Sequence, residues 1–328
     1  MRPTRVNSVK IAVTGASGFL GSILTRHLAA RGHEVRALTR TLPARGEGAH
    51  PGIAWVQGDL SSPHDAAAFT AGAEAIIHLA WTNTPLTSNA HLPSDAAANT
   101  LPALTLLEAV REAAARPHIV FASSGGAVYG PPRGERPFRE GDDCHPQSSY
   151  GIQKLTVEQY LRMGSEHEWL TATALRIGNP YGVLLPPERM QGFIGTAISQ
   201  LRAGTPIRIF GNPANVRDYL HVTDMCRAFE LALAPREAFD VLNIGSGTAY
   251  SVENVLQLIE ELEGRPVAVR AESPASRDEL APWVVLDVGK AREKLGWSPE
   301  ITLRDGLSRL LSTPPCVGSA DPLSVRPR

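Results

Sequence analysis

Short apolar runs alternate with longer amphipathic stretches through the first half of the chain. The apolar runs predict β-strands at 10–13, 34–38, 53–57, 75–79, 119–122 and 171–176. The amphipathic stretches predict helices at 19–31, 96–115 and 149–163. Strand–helix alternation of this length predicts an α/β fold, in which a parallel sheet is covered by helices on both faces.

The second half of the chain is less regular. Residues 180–189 and 209–219 are rich in Gly, Pro and Asn, and we predict that both are loops. Helices are predicted at 223–234 and 251–263. The sequence after Leu311 is rich in Pro and Ser and has few large apolar residues, so we predict a disordered tail at 312–328.

A glycine-rich turn follows the first predicted strand. Gly15, Gly18 and Gly21 are spaced three residues apart between that strand and a helix. Glycine lets the backbone turn tightly and approach a pyrophosphate, whose charge the N-terminus of the helix stabilises. A packed strand–helix turn is the alternative, but the position at the start of the chain favours dinucleotide binding.

The end of the second predicted strand bears on the choice between NAD and NADP. A carboxylate at this position would accept the adenosine ribose hydroxyls and favour NAD, whereas this chain has Thr39 and Arg40. Arg40 is either a solvated surface charge or a partner for a 2′-phosphate, so NADP stays open beside NAD. Asp59, after the third strand, is expected to accept a hydrogen bond from the adenine amine or to cap a helix.

Tyr150 and Lys154 are four residues apart, so a helix would place them on one face. An ammonium group nearby favours the phenolate and lowers the phenol pKa from its usual value of about 10. Tyr150 is therefore a candidate general acid/base for a sugar or alcohol hydroxyl. A surface pair is the alternative.

The fifth predicted strand ends in Ser123 and Ser124, which are followed by Gly125 and Gly126. In open parallel sheets, ligands bind at the carboxyl edge. Ser124 at that edge would hold the reacting hydroxyl beside Tyr150, and the two glycines would leave room for a ring. A plain turn is the alternative.

Composition and charge narrow the possible functions. The 328 residues include 32 basic and 33 acidic side chains, so we expect no binding of nucleic acid or of an anionic membrane. The three cysteines are far apart and odd in number, which indicates a reducing compartment. No metal-ligating pattern occurs. The apolar runs are too short for a signal peptide or a membrane span, and we therefore predict a cytoplasmic protein.

Together these motifs resemble the extended short-chain dehydrogenase/reductases of the NAD-dependent epimerase/dehydratase family, and most of all its nucleotide-sugar 4-epimerases of the UDP-glucose 4-epimerase type. The resemblance runs from TGASGFLG at residues 14–21 to about Leu311. It is also carried by GDL, HLA, VYG, NPYG, RDYLHVTD and NIGSGTAYSV.

The resemblance implies a Rossmann-type doubly wound parallel sheet with a smaller C-terminal substrate-binding lobe. Residues 8–176 and 214–247 would form the dinucleotide-binding domain, and 177–213 and 248–311 the lobe. The substrate would be a nucleotide-diphosphate sugar. A homodimer would form through the predicted helices at 96–115 and 149–163.

The resemblance also assigns roles to individual residues. Tyr150 would be the base, Lys154 would hold the ribose and tune the tyrosine, and Ser124 or Ser123 would bind the sugar hydroxyl. The cofactor-binding set would be Gly15, Ser17, Gly18, Phe19, Leu20, Gly21, Thr39, Arg40, Asp59, Leu60, Leu79, Ala80, Asn99, Tyr150 and Lys154. The substrate-binding set would be Thr82, Ser124, Gly125, Asn179, Arg217 and Arg277. An ion pair with Asp218 is the alternative for Arg217, and an exposed loop charge is the alternative for Arg277.

Two positions depart from the family pattern. The usual serine or threonine three residues before VYG is Gly125, and Thr39 replaces the acidic residue after the second strand. Gly126 and Ala127 stand where the dehydratases of this group carry Asp-Glu, so a dehydratase is not expected. We expect a nucleotide-sugar 4-epimerase with NAD or NADP. An NADPH-dependent 4-ketoreductase and a non-catalytic dinucleotide-binding protein are the alternatives.

Overall fold

The computed structural model describes residues 8–43, 50–85, 87–132, 134–184, 192–272 and 281–313. The strands in these residues are β1 Lys10–Thr14, β2 Glu34–Thr39, β3 Ile53–Gln57, β4 Ala75–His78, β5 His118–Ser124, β6 Thr171–Ile177, β7 Asn179–Tyr181, β8 Ile207–Phe210, β9 Val216–His221, β10 Phe239–Ile244, β11 Ala249–Ser251, β12 Val269–Glu272 and β13 Trp283–Val284. The helices are α1 Phe19–Ala30, α2 Pro63–Thr70, α3 Leu92–Ala113, α4 Ser149–Glu166, α5 Phe193–Arg202, α6 Val222–Ala232, α7 Val252–Glu263, α8 Gly289–Leu295 and α9 Leu303–Ser312.

Seven strands form one parallel sheet in the order β10-β6-β5-β4-β1-β2-β3. The predicted Rossmann-type fold is therefore confirmed. The strand order reverses between β1 and β4, and ligands of open α/β sheets bind outside the carboxyl ends of the strands at such a point.

Helices cover both faces of this sheet. The helices α1, α6 and α8 bury side chains such as Leu24 and Phe229 against one face. The helices α2, α3 and α4 bury side chains such as Phe69 and Leu106 against the other. Along β1, Val13 faces the first layer and Ala12 the second, which explains why successive inner positions of this strand are apolar rather than alternating.

The predicted strands agree with the observed ones to within two residues at each end. The short helix α2 was not predicted, since Phe69 is its only large apolar residue. In the second half, α7 begins with a capping box of Ser251 and Asn254 and ends at Gly264, which has φ +68°.

Strands form in part of the two segments that we predicted to be loops, so that prediction was wrong there. Val216–His221 is the middle strand of a four-stranded sheet with β7, β11 and β13, and β8 pairs with β12. Turn-forming residues occupy only 211–215, and the β-branched and aromatic residues on either side pair into strands. Residues 185–191 lie outside the described residues.

The chain passes between the large sheet and the two smaller sheets more than once. It leaves the large sheet after β6, contributes β7, β8 and β9 to the smaller sheets, and returns through α6 and β10. The helices α5, α7 and α9 pack on these smaller sheets around a separate apolar core. The domain boundaries stay a prediction, and β9 lies on the lobe side. Of the predicted tail, only 312–313 are described, and Ser312 ends α9.

Candidate active site

The glycine-rich turn packs tightly against the loop after β4. Gly15 has φ +68°, and a Cβ there would lie 2.7 Å from the amide nitrogen of Ala80. A Cβ on Gly21 would overlap the carbonyl oxygen of Gly15. Gly18 is the N-cap of α1, and neither a capping side chain nor an acidic residue occupies the first turn of this helix. Its first amide groups therefore have no intrahelical acceptor, an arrangement that fits the pyrophosphate of a dinucleotide.

Thr39, at the carboxyl end of β2, lies next to the glycine-rich turn. Its hydroxyl is 3.4 Å from the Ser17 hydroxyl and donates to the carbonyl oxygen of Thr41 at 2.8 Å. Arg40 is exposed beside it. The structure thus brings Ser17 and Thr39 together, with Arg40 next in the chain, and their contact with the adenosine ribose stays a prediction.

Asp59 is exposed after β3, and the helix-cap alternative for it was wrong. Its carboxylate accepts the Ser61 amide hydrogen at 2.8 Å, and Ser62 caps α2 instead. The next predicted cofactor residue, Leu60, is buried in the core.

The loop after β4 is held at both ends by side chains of other elements. The amides of Leu79 and Ala80 each lie 3.2 Å from the Thr14 hydroxyl. The amide and hydroxyl of Thr82 donate to the side-chain oxygen of Asn99 at 2.7 and 3.0 Å. Asn99 is buried and fixes this loop, so its predicted contact with a dinucleotide stays a prediction.

Asp95 was not identified from the sequence, although it links α3 to the start of α4. Its buried carboxylate accepts hydrogen bonds from Asn83 at 2.5 Å, Asn99 at 2.9 Å, Ser149 at 2.7 Å and Gln153 at 2.5 Å. Because Ser149 precedes Tyr150, this carboxylate fixes where the candidate base begins its helix. The spacing of four residues between Asp95 and Asn99 was the available signal.

Tyr150 and Lys154 are brought together with Ser124. The Ser124 hydroxyl is close enough to the Tyr150 phenol to lower its pKa, and the Lys154 ammonium is 5.5 Å from the centre of the tyrosine ring. The ammonium group donates to the carbonyl oxygen of Ala122 at 2.7 Å. The same ammonium lies 3.8 Å from the centre of the Trp81 indole.

The expected lowering of the Tyr150 pKa by Lys154 is not found. Burial raises the pKa of Tyr150 to about 12, and only its hydrogen bond with Ser124 acts in the opposite direction. Burial also lowers the pKa of Lys154 well below its usual value, against the attraction of the Glu158 carboxylate. Both shifts have one cause, because an apolar surrounding disfavours the charged form of either group.

The two serines at the end of β5 have different partners. The Ser123 hydroxyl donates to Glu158, whose carboxylate also binds Arg176 at 3.1 and 2.7 Å. Ser124 points to the other face of the strand, towards the Tyr150 phenol, whose pKa it lowers. The proximity of Ser124 to the phenol makes it the better candidate for the substrate hydroxyl.

The two glycines after these serines differ in the space around them. A Cβ on Gly125 would lie 2.5 Å from a methyl group of Leu286, so this glycine makes room for Leu286 and not, as we expected, for a ring. A Cβ on Gly126 would meet no atom of the described residues within 4 Å. The open space that we predicted is therefore found only at Gly126.

The predicted substrate-binding residues Asn179 and Arg217 lie on neighbouring parts of the smaller sheet, in β7 and β9. Arg217 does not pair with Asp218, whose carboxylate accepts from Ser246 and Gly247, so that alternative was wrong. Burial lowers the pKa of Arg217, and among the described residues no acidic side chain pairs with it. Arg277 lies outside the described residues.

The described part of the chain contains no group of three His, Cys, Asp or Glu side chains placed to hold a metal ion. Cys144 and Cys226 are free thiols. None of the described helices is long and apolar enough to span a membrane.

Comparison with known proteins identifies the family. The model of the NAD dependent epimerase/dehydratase family matches residues 11–245. The chain belongs to this family, which confirms the resemblance and establishes NAD as the cofactor of the class. The glycine-rich turn and the uncapped start of α1 fit the pyrophosphate of that cofactor.

Relatives of known activity include both epimerases and a reductase. A UDP-glucose 4-epimerase of Mycolicibacterium smegmatis is 32% identical over 308 residues, which are 92% of this chain and 97% of that protein. A dTDP-4-dehydro-6-deoxyglucose reductase of Escherichia coli is 31% identical over 243 residues, which are 74% of this chain and 75% of that protein.

A solved structure matches over nearly the same length. The crystal structure of UDP-glucose 4-epimerase with UDP-glucose from Thermotoga maritima is 30% identical and has a TM-score of 0.83. The match covers 92% of this chain and 97% of that chain.

Proposed function

We propose that the protein is an NAD-dependent nucleotide-sugar 4-epimerase. The observation that carries this proposal is the arrangement of three side chains at the carboxyl edge of the sheet: Ser124 at the end of β5 beside the Tyr150 phenol, and the Lys154 ammonium 5.5 Å from the centre of the tyrosine ring. The M. smegmatis and T. maritima 4-epimerases support the same reaction.

The residues divide the chemistry among them. Ser124 holds the sugar hydroxyl at C4, and Tyr150 takes the proton of that hydroxyl and later returns it. The glycine-rich turn and the start of α1 would hold NAD, which would supply hydride transfer at C4 and, in its oxidised form, a positive charge that favours the phenolate. Lys154, whose own pKa burial lowers, would add a second positive charge beside the phenol when it is protonated. The 4-keto sugar would turn over in the site and take the hydride back on its other face, so that C4 would be inverted without net oxidation.

Arg217 is the proposed partner of the substrate diphosphate. A guanidinium group matches phosphate oxygens through two parallel hydrogen bonds, and this one is half-buried without an acidic partner among the described residues. Asn179, in the adjacent strand, is proposed to contribute an amide. Arg277 stays a prediction for the same role.

The test replaces the base and compares it with a second tyrosine of the same helix. Tyr150→Phe is expected to lower 4-epimer formation about 10²- to 10⁴-fold, the usual contribution of a positioned acid/base. Tyr160→Phe, on the exposed side of α4, should react like the wild type. Full activity in Tyr150→Phe would exclude the mechanism.

A 4-ketoreductase is the second candidate. The E. coli reductase supports it, and so does Thr39, which stands where an acidic residue would select NAD. Mass analysis of the dinucleotide that co-purifies with the protein separates the two. Bound NAD favours the epimerase. An empty protein that oxidises NADPH with a 4-keto nucleotide sugar favours the reductase, and cofactor binding without any turnover favours the non-catalytic alternative.

We also propose that the protein is a homodimer. Leu101 on α3 and Ile152 on α4 are more than half exposed, and the two helices pack against each other. A shared apolar surface of this kind is typical of an interface. Leu101→Glu should convert a dimer to a monomer in sedimentation, whereas Leu42→Glu, at another exposed apolar residue, should leave the mass unchanged.

A further inference from the structure

Trp81 contacts both members of the candidate catalytic pair. The face of its indole is 3.8 Å from the Lys154 ammonium, and its ring meets Tyr150 edge to face at 5.9 Å between centres. Neither contact was anticipated from the sequence, in which Trp81 is an isolated aromatic residue after HLA.

We propose that Trp81 is a positioning residue, which holds Lys154 beside Tyr150 and favours the charged form of the lysine. The proposal rests on the role of Tyr150 as the acid/base. An aromatic face attracts an ammonium group, and the attraction increases where water is excluded. Lys154 is buried, with 2% of its surface exposed, so little water weakens the attraction between its ammonium group and the indole.

Hydrogen bonds on both sides of Trp81 fix the position of its backbone. The Ala80 amide on one side is bonded to Thr14, and the Thr82 amide on the other side to Asn99. The indole N–H is buried and finds no acceptor among the described residues. The contact with Lys154 is made by the face of the ring and not by the N–H group. A Trp81→Phe substitution would keep an aromatic face there, and Trp81→Leu would remove it.

The other charged groups near Lys154 do not replace this contact. Glu158, one turn along α4, favours the ammonium form but is already paired with Arg176 of β6. Burial lowers the pKa of His78 on β4 to about 3, so this ring is neutral at physiological pH. Asp95 on α3 is bonded to the helix start rather than to the lysine.

The first experiment measures the pH at which Tyr150 ionises. The rising limb of kcat against pH reports it in turnover, and the tyrosinate absorbance lost in Tyr150→Phe reports it without turnover. In Trp81→Leu both should move up by about half to one pH unit, because a less charged lysine favours the phenolate less. Trp81→Phe should move them less, and Trp169→Leu, at the opposite end of α4, should not move them. An unchanged value in Trp81→Leu would overturn the proposal.

The second experiment does not depend on activity. Trp81→Leu and Lys154→Met are combined in a double-mutant cycle of denaturant unfolding. If the ring holds the lysine, the double variant loses less stability than the two single variants together. Additive losses would overturn the contact. Coupling without a pH shift would leave Trp81 a packing residue and also reject the proposal. Full activity in Tyr150→Phe would instead reject the proposed function, while the cycle would still decide the contact.

Discussion

Two groups of polar side chains lie close together on β5 and α4. They differ in their hydrogen-bond and ion-pair partners. Ser123, Glu158 and Arg176 form a buried cluster in which the carboxylate bonds both partners. The Tyr150 and Ser124 side chains lie beside each other at the carboxyl edge of the sheet, and neither is bonded to an ion-paired group of the described residues. In the first cluster the carboxylate is bonded to both partners, and only Nη1 of Arg176 lacks an acceptor among the described residues. An ion-paired cluster of this kind stabilises the fold, whereas side chains outside it are available for chemistry.

Among single substitutions, removing the Glu158 carboxylate from its cluster with Ser123 and Arg176 should have the largest effect on stability. Glu158→Ala leaves the Arg176 charge buried without its partner, and we expect a loss of about 3–5 kcal/mol in the free energy of unfolding. Glu166→Ala, at the exposed end of the same helix, is the control. Denaturant unfolding decides the matter, and a Glu158→Ala protein as stable as the wild type would contradict the comparison.

The adjacent serines separate the two groups most sharply. Ser124→Ala should lower kcat about 10- to 100-fold with little change in stability, because it removes a hydrogen bond to a reacting group. Ser123→Ala should do the opposite and cost about 1–3 kcal/mol of stability with kcat retained. Unfolding and kinetics on both variants test the assignment, which fails if Ser123→Ala is the inactive one.

The effect of pH should be spread over several buried histidines that are kept neutral, outside both groups. Burial lowers the pKa of His78 to about 3, and those of His118 and His221 to about 4. The unfolded chain takes up protons below its pKa of about 6.5 while the folded protein does not, so stability falls as pH drops from there towards 4. We expect a loss of about 1.4 kcal/mol per histidine for each pH unit.

A carboxylate provides the contrast in the pH experiment. Glu230, bonded to His27 and Arg31, has its pKa lowered to about 2, so its contribution is complete above the unfolded value and is lost only at lower pH. Unfolding at a series of pH values should therefore show the histidine slope first. His118→Gln should flatten this slope by about a third, and an unchanged slope would contradict the assignment.

Much of the fold and part of the site could be predicted from the sequence, because local patterns encode them. The strand periodicity, the glycine spacing and the Tyr150–Lys154 interval each depend on a few neighbouring residues. The Asp95 network and the contact of Trp81 with Lys154 join residues that are far apart in sequence, which no local pattern reveals. The direction of the Tyr150 pKa shift depends on burial, and burial is a property of the assembled fold.

The passage of the chain between the large sheet and the smaller sheets also has a consequence for folding. The large sheet is completed only by β10, which follows β7, β8 and β9 in the chain. A ribosome therefore exposes the first six strands with an unpaired edge on β6 while the lobe residues are still being made. Strand pairing across so long an interval is slow, so the edge of β6 should stay open until the lobe residues and β10 have been made.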